Sequence, residues 1–144
     1  SWYHGTPILE RLKRDVPLEW LGPFGNRDWL PDYRSYREIL ASTLVYFSPT
    51  RRAPMPGART EAMLAGCCVV TVPGNDFDEM ICDTADGFVV ETYREARDTL
   101  RWLLDHPLDA WDVGQAGREW ARSAFNKGRY VADWLAYLEE LGVI

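Results

Sequence analysis

Histidine and cysteine are scarce in this chain, and their scarcity removes several chemistries at once. The two histidines, His4 and His106, lie far apart in sequence. Neither stands in a serine or cysteine nucleophile pattern, so both read as ordinary surface residues. Of three cysteines, Cys67 and Cys68 are adjacent inside an apolar run and Cys82 stands alone. That arrangement suits neither a disulfide framework nor a zinc site, and it fits a reduced, cytoplasmic setting. No apolar run reaches the length of about 18 residues that a membrane-spanning helix needs, and no signal peptide is visible. Phosphate-binding fingerprints are missing too: Gly22-Pro23-Phe24-Gly25 lacks the dinucleotide spacing, and no P-loop occurs. Positive charge is in deficit, with 16 Lys and Arg against 22 Asp and Glu and a formal net charge of −6. This argues against a general nucleic-acid surface. Asp76, Asp78 and Glu79 read more simply as a solvated acidic loop than as a metal site. Internal repeats, low-complexity tracts and long linkers are absent as well.

What the chain does hold is large apolar side chains: 47% of its 144 residues are hydrophobic, 13% aromatic, and seven are tryptophan. That length suits one domain, residues 1–144, burying roughly two-thirds of its unfolded surface. The start at Ser1 suggests an excerpt from a longer protein, and some of this chain's rings are expected to cover a partner domain.

Short elements alternate along the chain. Pro7 starts a helix over 7–14, and Val16 to Leu21 reads as a short strand ended by Gly22-Pro23. A loop follows from Phe24 to Asp32. Tyr33 to Ser42 reads as a helix with Tyr36, Ile39 and Leu40 on one face, and Leu44 to Ser48 as a strand halted by Pro49. The near-continuous apolar run Cys67 to Val72 has the pattern of a parallel strand covered on both faces, with another strand from Phe88 to Glu91 after the Asp86-Gly87 turn. Ala96, Leu100, Leu103 and Leu104 mark one helix closed by His106-Pro107, and Trp111 to Phe125 a second. Val131, Trp134, Leu135, Leu138 and Leu141 draw the stripe of a third, and these stripes read as core faces. The expectation is an α/β protein: a Rossmann-like, doubly wound parallel sheet with a helical C-terminal segment.

The chemistry concentrates between Pro49 and Val72, in PTRRAPMPGARTEAMLAGCCVVTV. A helix that begins at a Gly57 loop after a parallel strand aims unpaired N–H groups and its positive dipole end at the crevice beyond the strand. Gly57 permits close backbone approach, Ala58 and Ala62 keep the helix near the sheet, and Arg59 can reach a phosphate. Thr60 lies in the same first turn. Arg51, Arg52 and Arg59 are either solvated loop arginines or an anion site. Glu61 either complements the helix dipole or accepts hydrogen bonds from the vicinal hydroxyls of a ribose at the crevice rim. Thr50 at the strand end and Asp76 beyond the next strand are further candidate ligand contacts.

Several moderate motifs in order resemble the C-terminal domain of GT-B fold glycosyltransferases, especially the retaining glycosyltransferase 4-like group. Pro49-Thr50 stands for the family's Pro-Ser, and Glu61-Ala62-Met63-Leu64-Ala65-Gly66 followed by Val69-Val70 matches its second-Glu helix and strand. Glu79-Met80-Ile81, Asp86-Gly87-Phe88-Val89-Val90, Leu103-Leu104-Asp105, Gly114-Gln115-Ala116-Gly117-Arg118 and Ala124-Phe125 continue the likeness over roughly 16–140. The resemblance implies a partial GT-B C-terminal domain that binds a nucleotide diphosphate sugar. In it, Glu61 holds the ribose, Gly57, Ala58, Arg59 and Thr60 receive the diphosphate, and Thr50, Arg51, Arg52 and Asp76 stand nearby. It further implies hexosyl transfer with retention to a glycan or other acceptor, as a step of carbohydrate biosynthesis, with no metal or other cofactor. The N-terminal domain of the same longer chain would complete the active site, leaving this fragment inactive alone. A cytoplasmic location, the membrane surface included, goes with it. The sequence departs from the family at Ala53, where the first Glu belongs, and at Pro54 and Pro56, which offer no N–H. Those departures motivate the alternative of a non-catalytic nucleotide-binding or protein-interaction module.

Overall fold

The strand from Cys68 to Thr71 (β2) is buried at every residue, and the fold is arranged around it. In the computed structural model, which describes residues 5–21, 25, 28, 30–52, 57–74, 81 and 85–143, β2 lies between Val45–Ser48 (β1) and Phe88–Val89 (β3). Both pairings are parallel, with Val45 opposite Cys68 and Val70 opposite Phe88. Helices Thr6–Asp15 (α1), Tyr33–Ser42 (α2), Gly57–Ala65 (α3), Tyr93–Asp105 (α4), Pro107–Ala124 (α5) and Lys127–Glu140 (α6) complete the described elements.

Alternation along β2 divides the core in two. Cys68, Val70 and Val72 pack with Leu12 of α1 and Ala96, Leu100 and Leu103 of α4. Cys67 and Val69 pack on the other face with Leu40 of α2, Ala62 and Met63 of α3 and Ala121 of α5. Helices on both faces of a parallel sheet make the doubly wound arrangement that the sequence implied.

Local signals explain the boundaries. Asp32 caps α2 by accepting from the Ser35 amide at 2.7 Å, and Thr92 and Glu95 form a reciprocal capping box at α4. Gly66, at φ 92°, ends α3: its amide bonds to Met63 O and that of Cys67 to Ala62 O. Pro107 opens α5 at its first residue, four positions before the expected start at Trp111, because proline's missing N–H costs nothing there.

Two expectations need correction. The strand expected from Val16 to Leu21 is irregular, with only an isolated bridge at Leu21; Pro17, which cannot donate to a ladder, stands at its start. The apolar stripes are not all core faces either. Leu104 is 44% exposed, and no residue of α6 is buried: Val131, Trp134, Leu135 and Leu141 are all exposed. Periodicity reports that a helix is amphipathic, and it says nothing of what lies against the apolar side. His4 and Cys82 lie outside the described residues. No helix among the described residues is long and apolar enough to cross a membrane.

Glycines let α5 approach the sheet closely. A methyl group on Gly114 would collide with the Gly66 carbonyl oxygen and stand 3.0 Å from the Cys68 amide nitrogen, and one on Gly117 would stand 2.6 Å from Asp86 O. Backbone cannot give way as a side-chain tip can. Gly114→Ala is therefore expected to lose about 1–3 kcal/mol in urea unfolding, overriding the gain of up to about 1 kcal/mol that alanine brings to a helix.

The buried thiols yield a second test. Burial pushes Cys67 up to about 11 and Cys68 up to about 12, and the Cys67 thiol also donates to Leu40 O at 3.4 Å. An unfolded thiol titrates near about 8.5, so the folded chain holds these protons longer than the unfolded one. Stability from this source is complete below that value and declines as pH rises toward the folded ones. In a Cys82→Ser background, both thiols should resist a disulfide reagent at about pH 8 until denaturant opens the fold.

Candidate functional site

The carboxyl end of β1, the first turns of α1 and α3, and the start of α2 meet around one cavity. It measures about 480 Å³ and is lined by Leu9, Glu19, Trp20, Leu21, Leu30, Asp32, Tyr36, Tyr46, Phe47, Pro49, Thr50 and Ala58. The chain leaves β1 at Pro49, whose backbone packs against Gly5 at the left-handed entry to α1 (φ 68°). Helix α3 begins at Gly57. The first amides of a helix have no intrahelical partner, so Gly57, Ala58, Arg59 and Thr60 bring N–H groups and positive dipole to this end of the sheet.

The expected contacts take distinct places. Thr50 and Ala58 line the cavity. Gly57 is exposed, and a methyl group built on it would meet nothing within 4 Å among the described residues. Thr60 is half-buried, and its hydroxyl has no hydrogen-bond partner among the described residues. The three arginines take separate directions. Arg51 donates to the Glu91 carbonyl at 3.4 Å, and Arg52 is exposed. Arg59 is wholly buried, with Nη1 donating to Thr71 Oγ1 at 2.7 Å; Thr71 Oγ1 in turn lies 3.5 Å from Ser48 O, to which it donates. The guanidinium thus ties α3 to the ends of both strands from within. Asp76 and Ala53 lie outside the described residues.

Glu61, half-buried on α3, faces α2. Tyr33 donates to its Oε1 at 3.3 Å. Tyr36, one turn further on, has its phenol pushed well up, first by burial and then by Tyr46 and Glu61. Burial also raises Tyr46, while the Arg59 charge pulls it the other way. The phenol of Tyr46, which lines the cavity, thus feels the Arg59 cation and the Glu61 carboxylate in opposite senses. Asp32 at its rim is held below the ordinary carboxylate range, chiefly by the Ser35 amide.

Sequence reasoning placed Tyr36 on a helix face but gave no site role to Tyr33, Tyr36, Tyr46 or Trp20. The spacing Tyr33-x-x-Tyr36 behind a capping Asp32 was the available signal, since it puts two phenols on one side of a helix start. No group of three or more potential metal ligands occurs among the described residues.

Comparison with known proteins supplies the family. Residues 29–120 match the family described as Glycosyl transferases group 1. No curated protein sequence matches the chain. Among solved structures, sucrose-phosphate synthase from Thermosynechococcus elongatus superposes with TM-score 0.84 at 16% identity, covering 99% of this chain and 43% of that one. HepE from Anabaena, solved in complex with UDP-glucose, gives 0.72 at 15% identity over 96% of this chain and 46% of its own. The C-terminal domain of the group 1 family protein LpcC from Francisella tularensis gives 0.64 at 15% identity, over 85% of this chain and 62% of that one. The chain thus spans less than two-thirds of the length of each, and the shared fold is the Rossmann-like domain of GT-B glycosyltransferases. On the match over 29–120, the chain belongs to the Glycosyl transferases group 1 family.

Proposed function

We propose that this chain is the donor-binding part of a glycosyltransferase that takes a hexosyl group from a nucleotide diphosphate sugar. The observation that carries the reading is the opening of the α3 N-terminus onto a roughly 480 Å³ cavity at the carboxyl end of β1, with Glu61 one turn inside the same helix. A carboxylate accepts only, so it suits the two adjacent hydroxyls of a ribose, while the helix start suits the diphosphate. The solved complex of HepE with UDP-glucose supports a nucleoside diphosphate sugar as the ligand class.

In this reading Gly57, Ala58, Arg59 and Thr60 serve the diphosphate in two ways. The backbone of the first turn contacts it, and the buried Arg59 charge acts from behind through the field rather than by direct contact. As the bond from the sugar to phosphate breaks, negative charge grows on the leaving diphosphate, where fixed dipoles stabilise it most. Thr50, Arg51, Arg52 and Asp76 border the donor. The anomeric configuration is retained, no metal takes part, and the acceptor, a glycan or another hydroxyl compound, is held by an N-terminal domain of a longer chain. This part alone binds donor without turning it over. The reaction belongs to carbohydrate biosynthesis in the cytoplasm, the membrane surface included.

Titration with UDP, GDP, ADP and their sugar conjugates, followed by NMR of the ligand, tests the reading. One nucleotide should bind selectively, and Glu61→Ala should weaken it about tenfold or more, the loss expected when hydrogen bonds to a charged acceptor are removed. Unchanged affinity in that variant would remove the ribose role. A protein-interaction module would instead bind no nucleotide selectively.

Two further substitutions separate ligand contact from architecture. Gly57→Leu meets none of the described residues at its Cβ, so it should leave urea stability within about 0.5 kcal/mol of the parent while blocking nucleotide. Thr71→Val removes an acceptor from the buried Arg59, so it should cost about 1–3 kcal/mol of stability.

A further inference from the structure

Tyr33 is 61% exposed, and packing does not account for where its ring stands. Its phenol reaches across from α2 to Glu61 Oε1 on α3, at 3.3 Å. The Tyr36 ring follows at a centroid distance of 5.9 Å and a tilt of 38°. The Tyr36 hydroxyl is buried and has no hydrogen-bond partner among the described residues. It nevertheless lies close enough to Glu61 for the carboxylate to help keep its proton on. Two phenol donors, one engaged and one in reserve, thus converge on the same carboxylate from consecutive turns of a helix whose start is fixed by the Asp32 cap.

We infer that Tyr33 and Tyr36 are positioning residues that set the rotamer of Glu61, so that its free oxygen faces the vicinal hydroxyls of the donor ribose. The inference rests on the ribose role given to Glu61 above. A glutamate has three side-chain torsions to fix, and the freedom lost on fixing them weakens binding unless it has already been given up on folding. A phenol on Oε1 does this in advance and leaves Oε2 with both its lone-pair directions open. Tyr36 can close onto Oε1 when ligand draws the carboxylate deeper, which would give its buried hydroxyl the partner it lacks.

The test uses whichever of UDP, GDP and ADP binds the chain most tightly, together with its 2′,3′-dideoxy counterpart. Affinities are measured for the parent, Tyr33→Phe, Tyr36→Phe, the double variant and Glu61→Ala, and each variant is also combined with Glu61→Ala. Loss of either phenol should weaken the ribonucleotide about three- to tenfold. It should leave the dideoxy analogue unchanged, and should have no further effect once Glu61 is alanine. Thermal unfolding of Tyr33→Phe should match the parent, since only an exposed hydroxyl is lost. Equal loss for both ligands would place the phenols against base or fold, and would overturn the inference. So would undiminished ribonucleotide affinity in the double variant, while a weakened Glu61→Ala would then leave the donor reading standing. Should Glu61→Ala bind like the parent, or the parent bind none of the three nucleotides, the donor reading falls and the inference with it.

Discussion

The close approach of α5 to the turn between α3 and β2 is the contact on which the remaining geometry rests. Gly114 brings one helix backbone against the Gly66 carbonyl and the Cys68 amide, and Gly117 brings it against Asp86. Any side chain there would push α5 away and open both cores that share β2. Because β2 is buried on each face, its neighbours have no slack to absorb such a shift. The same turn sets the direction in which α3 leaves the sheet, and so where the opposite end of α3 points.

That opposite end is braced by a second, polar device. Arg59 places a whole guanidinium under the strand ends, held by Thr71, and the cost of burying the charge is offset only by good hydrogen bonds. The arrangement leaves a positive charge in a region of low polarity, close behind a helix start that is itself positive. The two fields add toward the cavity. Two residues on, Glu61 turns to α2, where Tyr33 donates to it, so one helix carries the cation toward the strand ends and the acceptor toward the tyrosines.

Much of this was legible in the sequence. The continuous apolar run at Cys67 to Val72 announced a doubly covered strand, and Gly57 followed by small residues announced the helix that opens on the crevice. Legibility failed where the outcome depends on what lies against an element rather than on the element itself. Arg59 reads as a surface cation on any scale of polarity, yet its long stem turns inward because α3 lies flat on the sheet and Thr71 waits at its reach. Tyr33 looked like a helix start and Tyr36 like part of its apolar face, and their place beside Glu61 needed the relative placement of α2 and α3. The stripe on α6 was read correctly as periodic and wrongly as buried.

That helix has everything local it requires. Asn126 accepts from the Gly128 and Arg129 amides at its start, and Gly142, at φ 67°, closes its end with amide bonds from Gly142 to Glu139 and Val143 to Leu138. Yet 14 residues are marginal for a helix in water, whose stability ordinarily comes from packing. The amides of α6 will consequently exchange with solvent well before those of β2, and the protection they gain on any contact is a direct gauge of how much of the tyrosine and tryptophan face that contact covers.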